Sequence, residues 1–228
     1  RQFDFRPGPV FGDIILADEI NRAPAKTQAA LLEAMQERQA TVDGKAYPLS
    51  NVFTVFATQN PVEFEGTYPL PETQVDRFML KIVIDYPPQA DEERILDQVE
   101  SGLDTADMTG ANIQPLLDLE KLAALRAATR KIHVEEMVRR YITRVIRATR
   151  SRTQITLGAS PRAGVMLLLA AKARALLAGR DFVSPDDVKA MAPPVLRHRI
   201  LLLPEAEVEG LRPDDCLKEI LLGAEVPR

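Results

Sequence analysis

One cysteine, Cys216, and two histidines, His133 and His198, are the only thiol and imidazole groups in this 228-residue chain. A lone thiol excludes an internal disulfide and a cysteine-rich zinc site, and histidines so far apart in sequence argue against a metal cluster with nitrogen and sulfur ligands. Such cysteine usage fits a reducing cytosol, so a cytoplasmic location is expected. Long apolar runs are also lacking. The longest, "VMLLLAA" from Val165 to Ala171, is far short of the ~20 residues a membrane helix needs. Nor is there an excess of positive charge: Lys+Arg 29 against Asp+Glu 33 leaves −4, which argues against a dedicated nucleic-acid binder. No internal repeat or low-complexity tract is found, and the first residues do not read as a signal-type leader. The opening "RQFDFRPGPVFGD" instead reads as the middle of something, with Phe3 and Phe5 alternating as on a half-buried strand before Pro7-Gly8-Pro9 breaks it.

At 46% hydrophobic, the chain can bury one large core or two modest ones. Its first part alternates strand and helix signals. Ile14 to Ala17 is a short buried-strand run, and Ala25 to Arg38 is a helix with Leu31, Leu32 and Met35 on one side. In "TVDGKAY", Asp43-Gly44 predicts a two-residue hairpin turn, because both central residues need positive φ. Val52 to Ala57 and Met79 to Tyr86 read as two further buried strands. After Pro87-Pro88 the signals become helical: Asp91-Glu92-Glu93 open one helix, and Leu122, Leu125, Thr129 and Ile132 mark another. Ser160-Pro161 and Ser184-Pro185-Asp186-Asp187 cap two more. The expected architecture is an α/β part, residues 1–86, followed by an all-helical part, residues 87–228. On the helix from Met137 to about Ser151, a turn of about 100° per residue gathers Arg139, Arg140, Arg144, Arg147 and Arg150 on one arc, opposite Met137, Tyr141, Val145 and Ala148. That is a solvated basic face, or a contact for a neighbouring subunit, a nucleotide or another polyanion.

The chemistry concentrates where the first strand ends. "IILADEINRA" places Asp18 and Glu19 at the carboxyl end of a strand, where open α/β sheets bind ligands. An Asp there can hold a Mg²⁺ water shell and an adjacent Glu can polarise an attacking water; solvated acids closing an ordinary strand fit the same residues. "ATQNP" after the next strand offers Asn60, a carboxamide for a γ-phosphate or the water, or a turn former ahead of proline. Arg77, in "PLPETQVDRF", can pair a carboxylate or reach a phosphate on a neighbouring subunit. In "GASPRAG", Arg162 sits in the first turn of a helix, where the dipole disfavours a cation and an anion nearby would offset it.

Together "GPVFGDIILADEINRAPAKTQAALLEAMQE", "FATQNPVEFEGTYPLPETQVDRF", "GASPRAG" and "AEVPR" resemble MoxR-type AAA+ ATPases, the branch with an insertion in helix 2 and a hairpin before sensor 1. The resemblance runs essentially end to end, with the motifs in order and at matching spacing. It implies a partial AAA+ α/β core followed by a helical lid. It also implies that Asp18 and Glu19 are the Walker B pair for Mg²⁺ and water activation, Asn60 sensor 1, Arg77 a trans-acting arginine finger and Arg162 sensor 2. "TVDGKAY" corresponds to the pre-sensor-1 hairpin, and "FDFRPGPVF" to the return from the helix-2 insertion. The implied cofactors are ATP and Mg²⁺. The implied assembly is a ring, hexameric by expectation, that drives assembly or activation of a client protein complex, often alongside a protein with a von Willebrand factor A domain.

One family element is missing from these residues. The phosphate-binding loop Gly-x-x-x-x-Gly-Lys-Ser/Thr does not occur, and the one Gly-Lys pair, Gly44-Lys45, precedes Ala46 in the hairpin. The family's first strand, which lies between the strands read at Val52 and Met79, is absent as well. The chain is therefore expected to be a portion of a longer protein, inactive alone. A magnesium-chelatase-like subunit or a helicase-type motor with its hairpin on DNA is an alternative within the branch. A non-catalytic binding module, using the lid helices and the "EFEGTYPL" loop with Phe64 and Tyr68, is an alternative outside it.

Overall fold

The computed structural model describes residues 5–60, 66–104 and 114–226. Phe3, Phe64 and the end of "AEVPR" lie outside the described residues.

Strand β1 (Ile14–Ala17) is followed by a 3-10 turn, Ile20–Arg22, and by helix α1 (Ala25–Glu37). Pro24 caps α1, where its missing N–H is no loss, and Arg38 closes it in the left-handed region. β2 (Gln39–Val42) and β3 (Lys45–Pro48) form the expected hairpin. Asp43 at φ 49° and Gly44 at φ 76° supply the two positive angles of its turn. Tyr47 on β3 stacks on Phe5 with ring centroids 4.0 Å apart, so the hairpin's aromatic face packs back onto the chain.

β4 (Thr54–Ala57) runs parallel to β1 in the register Ile14↔Thr54 to Ala17↔Ala57. One face of the pair, with Ile15 and Val55, packs over a small cluster of Ala34, Leu49 and Phe53. The other presents Ile14, Leu16 and Phe56, all more than half exposed.

The strand expected over Met79–Tyr86 does not form; after the short helix α2 (Glu72–Val75) the chain runs irregularly to residue 88. Ile84 is 90% exposed. A β-run becomes a strand only when a ladder accepts its backbone groups. Here residues 78–81 give theirs to the helical part instead: Lys81 N–H donates to the Pro194 carbonyl at 2.8 Å.

Helices α3 (Gln89–Glu100), α4 (Leu119–Lys131), α5 (Glu136–Ala148), α6 (Pro161–Leu177), α7 (Pro185–Leu196), α8 (Pro204–Val208) and α9 (Pro213–Gly223) make up the second part. A short antiparallel pair, β5 (Ile155–Leu157) and β6 (Leu201–Leu202), joins them, a small addition to the all-helical expectation. The main core lies here, built on Tyr141, Val145, Leu167, Val188, Leu196 and Leu217, all fully buried. Its anchor is α5, whose buried face is Val138, Tyr141, Ile142, Val145 and Ile146. Met137, expected on that face, is 51% exposed. The arginines opposite are largely engaged within the chain. Arg140 pairs with Glu136 at 2.5 Å, Arg144 with Glu225 at 3.2 Å, and Arg150 Nε donates to the Ala159 carbonyl at 2.8 Å.

α7 begins with the capping box read from Ser184 and Asp187, both halves of which are made. The Asp187 carboxylate is 2% exposed and takes both arms of Arg180, at 2.6 and 2.7 Å. Burial pushes its pKa up, but Arg180 and the Ser184 N–H and hydroxyl outweigh that and hold it at about 2.

Candidate functional site

Parallel pairing of β1 with β4 decides the geometry of the acid pair. With Ala17 opposite Ala57, the next residues on each strand, Asp18 and Thr58, face each other. The Thr58 hydroxyl donates to Asp18 Oδ1 at 2.5 Å and accepts the Glu19 N–H at 2.8 Å. The Thr58 carbonyl accepts the Ile20 N–H at 3.0 Å, and Thr58 N–H donates to the Ala17 carbonyl at 3.1 Å. One threonine therefore ties down four consecutive residues of the other strand's end. Glu19 sits at φ 48°, ψ 50°, a left-handed conformation rare for a residue with a side chain and found most often at functional turns. The kink turns the chain at the carboxyl end of β1, between Asp18 and the 3-10 turn. Glu19 Oε2 meets the Arg22 guanidinium at 3.2 Å; both side chains are well exposed, so the pair opens easily.

Behind the turn, two buried amides brace it. Gln28, on α1 and 2% exposed, donates from Nε2 to the carbonyls of Ile20 and Ala23, both at 3.1 Å, and Tyr68, at 2.9 Å. Asn21 is 8% exposed, and its Nδ2 donates to the Asn60 carbonyl at 3.4 Å. The Asn60 backbone is thus tied to the turn that follows the acid pair. Sequence reading passed over Thr58, Asn21 and Gln28. Thr58 carried a usable signal: once β1 and β4 are aligned end to end, it falls opposite Asp18.

No hydrogen bond or ion pair joins the two arginines to this cluster among the described residues. Arg77 is in the turn after α2, and Arg162 projects, exposed, from the first turn of α6. Among the described residues neither guanidinium makes a hydrogen bond or ion pair, and none links them to Asp18 or Glu19. The "GASPRAG" run shows how Arg162 is aimed. A Cβ on Gly158 would lie 2.8 Å from the Thr149 carbonyl and 2.9 Å from Arg150 Cα, so only glycine passes the end of α5 this closely. Ala159 N–H then donates to the Thr149 hydroxyl at 2.9 Å, and Ala159 and Ala163 are fully buried, which leaves Arg162 outward. Ser160 stands at the N-cap position, though its hydroxyl makes no capping bond.

Among the described residues no cluster of His, Cys, Asp or Glu could enclose a metal by itself. The donor set is still suited to Mg²⁺, which binds through one or two carboxylates and completes its shell with water and phosphate oxygens. Thr58 engages one oxygen of the exposed Asp18 carboxylate, and the other carries no bond among the described residues.

A parallel strand pair ending in an acid pair, followed by a helical part, makes this a mixed α/β chain with a helical C-terminal part. Residues 1–80 match the ATPase family associated with various cellular activities (AAA), and residues 147–220 match the AAA lid domain. The chain is 42% identical over 99% of its length to the uncharacterised protein YeaC of Bacillus subtilis, of which it covers 69%. It is 39% identical over its whole length to the chaperone MoxR1 of Mycobacterium tuberculosis, covering 61% of that protein. It is 32% identical to protein MoxR of Methylorubrum extorquens, covering 64%. A crystal structure from Cytophaga hutchinsonii, of a protein assigned by inference as an ATPase, superposes with a TM-score of 0.89 at 40% identity, over 98% of this chain and 69% of that one. The chain belongs to the MoxR-type AAA+ ATPases. It spans between about three-fifths and seven-tenths of the length of these relatives.

Proposed function

We propose that this chain is the Walker B-to-lid portion, core 1–86 and lid 87–228, of an enzyme that hydrolyses ATP with Mg²⁺. The observation that carries the reading is the Thr58-locked acid pair at the carboxyl ends of two parallel strands. Asp18, with one oxygen on Thr58, offers the other to the metal's water shell. Glu19, kinked into the crevice, accepts the proton of the attacking water, and Asn60 orients that water or the γ-phosphate. Mg²⁺, when bound, supplies charge neutralisation for the transferred phosphoryl group. Arg162 contacts the phosphates from the lid, and Arg77 acts on the nucleotide of a neighbouring subunit. The protein works as a ring, hexameric in this reading, that remodels or activates a client protein complex, with a von Willebrand factor A domain protein as its expected companion. The likeness to a chaperone supports that role.

DNA tracking is disfavoured by the hairpin, whose one cation, Lys45, lies over the Tyr47 ring at 5.1 Å and leaves no basic track. No helix among the described residues is long and apolar enough to cross a membrane.

The test is Glu19→Gln in the full-length protein that its gene encodes. Steady-state ATP turnover should fall by about 100-fold or more, with nucleotide affinity kept. Turnover at the wild-type rate would refute the assignment.

A further inference from the structure

The helical part grips the segment that carries Arg77, and one side chain makes most of the grip. Arg199, just beyond α7, has a side chain only 1% exposed. Its Nε donates to Asp76 Oδ1 at 2.7 Å. Nη2 donates to the carbonyls of Asp76 at 2.8 Å and Phe78 at 2.5 Å. Nη1 donates to the carbonyl of Met79 at 3.2 Å and to that of Val195. A guanidinium has five N–H donors, and each has an acceptor here. Four of the five acceptors belong to the two residues flanking Arg77 and the one after them. The neighbours of Arg199 extend the contact: His198 Nε2 donates to the Phe78 carbonyl at 3.0 Å, and Arg197 Nη1 to that of Lys81 at 3.2 Å. Pro194, near the end of α7, has a carbonyl without an intrahelical partner, and Lys81 N–H fills it.

A charge this buried is tolerated only if fully paired. Burial pulls the Arg199 pKa below its ordinary value, Asp76 pushes it back up, and the positive charge of Arg162 lowers it further. The junction therefore touches on both arginines of the site: half-buried Arg77 leaves the chain between two clamped residues, and exposed Arg162 lies within electrostatic reach.

We propose that Arg199 is a positioning residue for Arg77, fixing the turn Asp76–Met79 against the helical part so that lid placement sets where Arg77 is presented. The inference rests on the reading of Arg77 as an arginine finger acting across a subunit boundary. A lysine at 199 keeps the charge but has only three donors and no planar fork, so it cannot hold this set.

The experiment uses the full-length protein with ATP and Mg²⁺ and compares Arg199→Lys, Asp76→Asn and Arg77→Ala. Arg199→Lys should lower kcat by about 10- to 100-fold, the penalty of a slightly misplaced group, with KM changed less than twofold and ring assembly intact. Mixing Arg199→Lys subunits with Glu19→Gln subunits should restore turnover above the sum of the two alone, because the latter supply a well-placed Arg77 to sites with an intact Glu19. Should Arg199→Lys fail to fold, Asp76→Asn, which keeps the backbone contacts, should show the same kcat loss and the same rescue. Loss of KM and assembly together with kcat, without rescue, in whichever variant folds would make the contact purely structural and overturn the proposal. Wild-type kcat in Arg199→Lys while Arg77→Ala is inactive would overturn the positioning role alone. Wild-type turnover in Arg77→Ala would overturn the finger reading, and this inference with it.

Discussion

At the scale of single residues, the acid pair depends on a neighbour that carries no charge. Thr58 donates to Asp18 and accepts from the Glu19 backbone through one hydroxyl, so it fixes the orientation of both. Valine has the same shape without the hydroxyl. Thr58→Val leaves the Glu19 N–H without that acceptor and frees Asp18 to rotate. We expect a loss of about 10-fold or more in ATP turnover, the scale of a misplaced catalytic group, with the melting temperature lowered by only a few degrees, about what two lost exposed hydrogen bonds give. Kinetics and thermal melts on the same preparation check this. The residue scale also shows where composition misleads. Gln28 is polar and nearly fully buried, a position that apolar periodicity alone assigns to packing. Its place is explained by the three carbonyls it satisfies.

At the scale of elements, local signals were reliable wherever an element satisfies itself. The Asp43-Gly44 hairpin, the Ser184–Asp187 capping box and the helix starting at Pro161 all form where their residues say. Each depends on bonds within a few residues, so sequence carries the whole instruction. The run Met79–Tyr86 is the counter-case: equally apolar and β-branched, it stays irregular because a strand needs a partner from elsewhere in the chain. The "GASPRAG" turn is an element-scale device as well. Gly158→Ala forces the loop off the end of α5, because the new Cβ would strike backbone, not a movable side-chain tip. Overpacking of this kind costs about 1–3 kcal/mol, and it also shifts the start of α6, from which Arg162 projects. Urea unfolding should show the destabilisation, and a weaker apparent ATP affinity in the full-length protein should accompany it.

At the scale of the whole molecule, the junction between the two parts holds a half-buried titratable group. His198 is held at about pKa 4, first by burial and then by the Arg199 charge, with Lys81 adding to it and Asp76 and the Phe78 carbonyl opposing. Its Nε2 donates to Phe78 in either protonation state, but Nδ1 is buried with no hydrogen-bond partner among the described residues, so a second proton there would go unpaired. The unfolded chain binds this proton near pH 6.5, the folded one only near 4. His198 therefore leaves stability intact above about pH 6.5 and erodes it as pH falls from there toward 4. His198→Gln keeps an N–H for Phe78 and cannot titrate. Denaturant unfolding at pH 7 and pH 5 should show a smaller drop for His198→Gln than for the unmutated protein, and equal drops would place the acid sensitivity elsewhere.

Sequence by itself determined the chemistry at each position: a strand closing in Asp18-Glu19, an amide at Asn60, arginines at 77 and 162, and the hairpin and caps between them. These follow from short-range rules, since periodicity, turn angles and capping bonds act over a few residues. Only the tertiary structure decided what surrounds that chemistry. Thr58 meets Asp18 across 40 residues and Arg199 meets Asp76 across 123, and neither pairing leaves a periodic trace in the chain. The physical reason is the same for both. A buried polar group must find its partner wherever folding brings one, and that partner is set by how the strands and helices pack, not by the residues beside it in sequence.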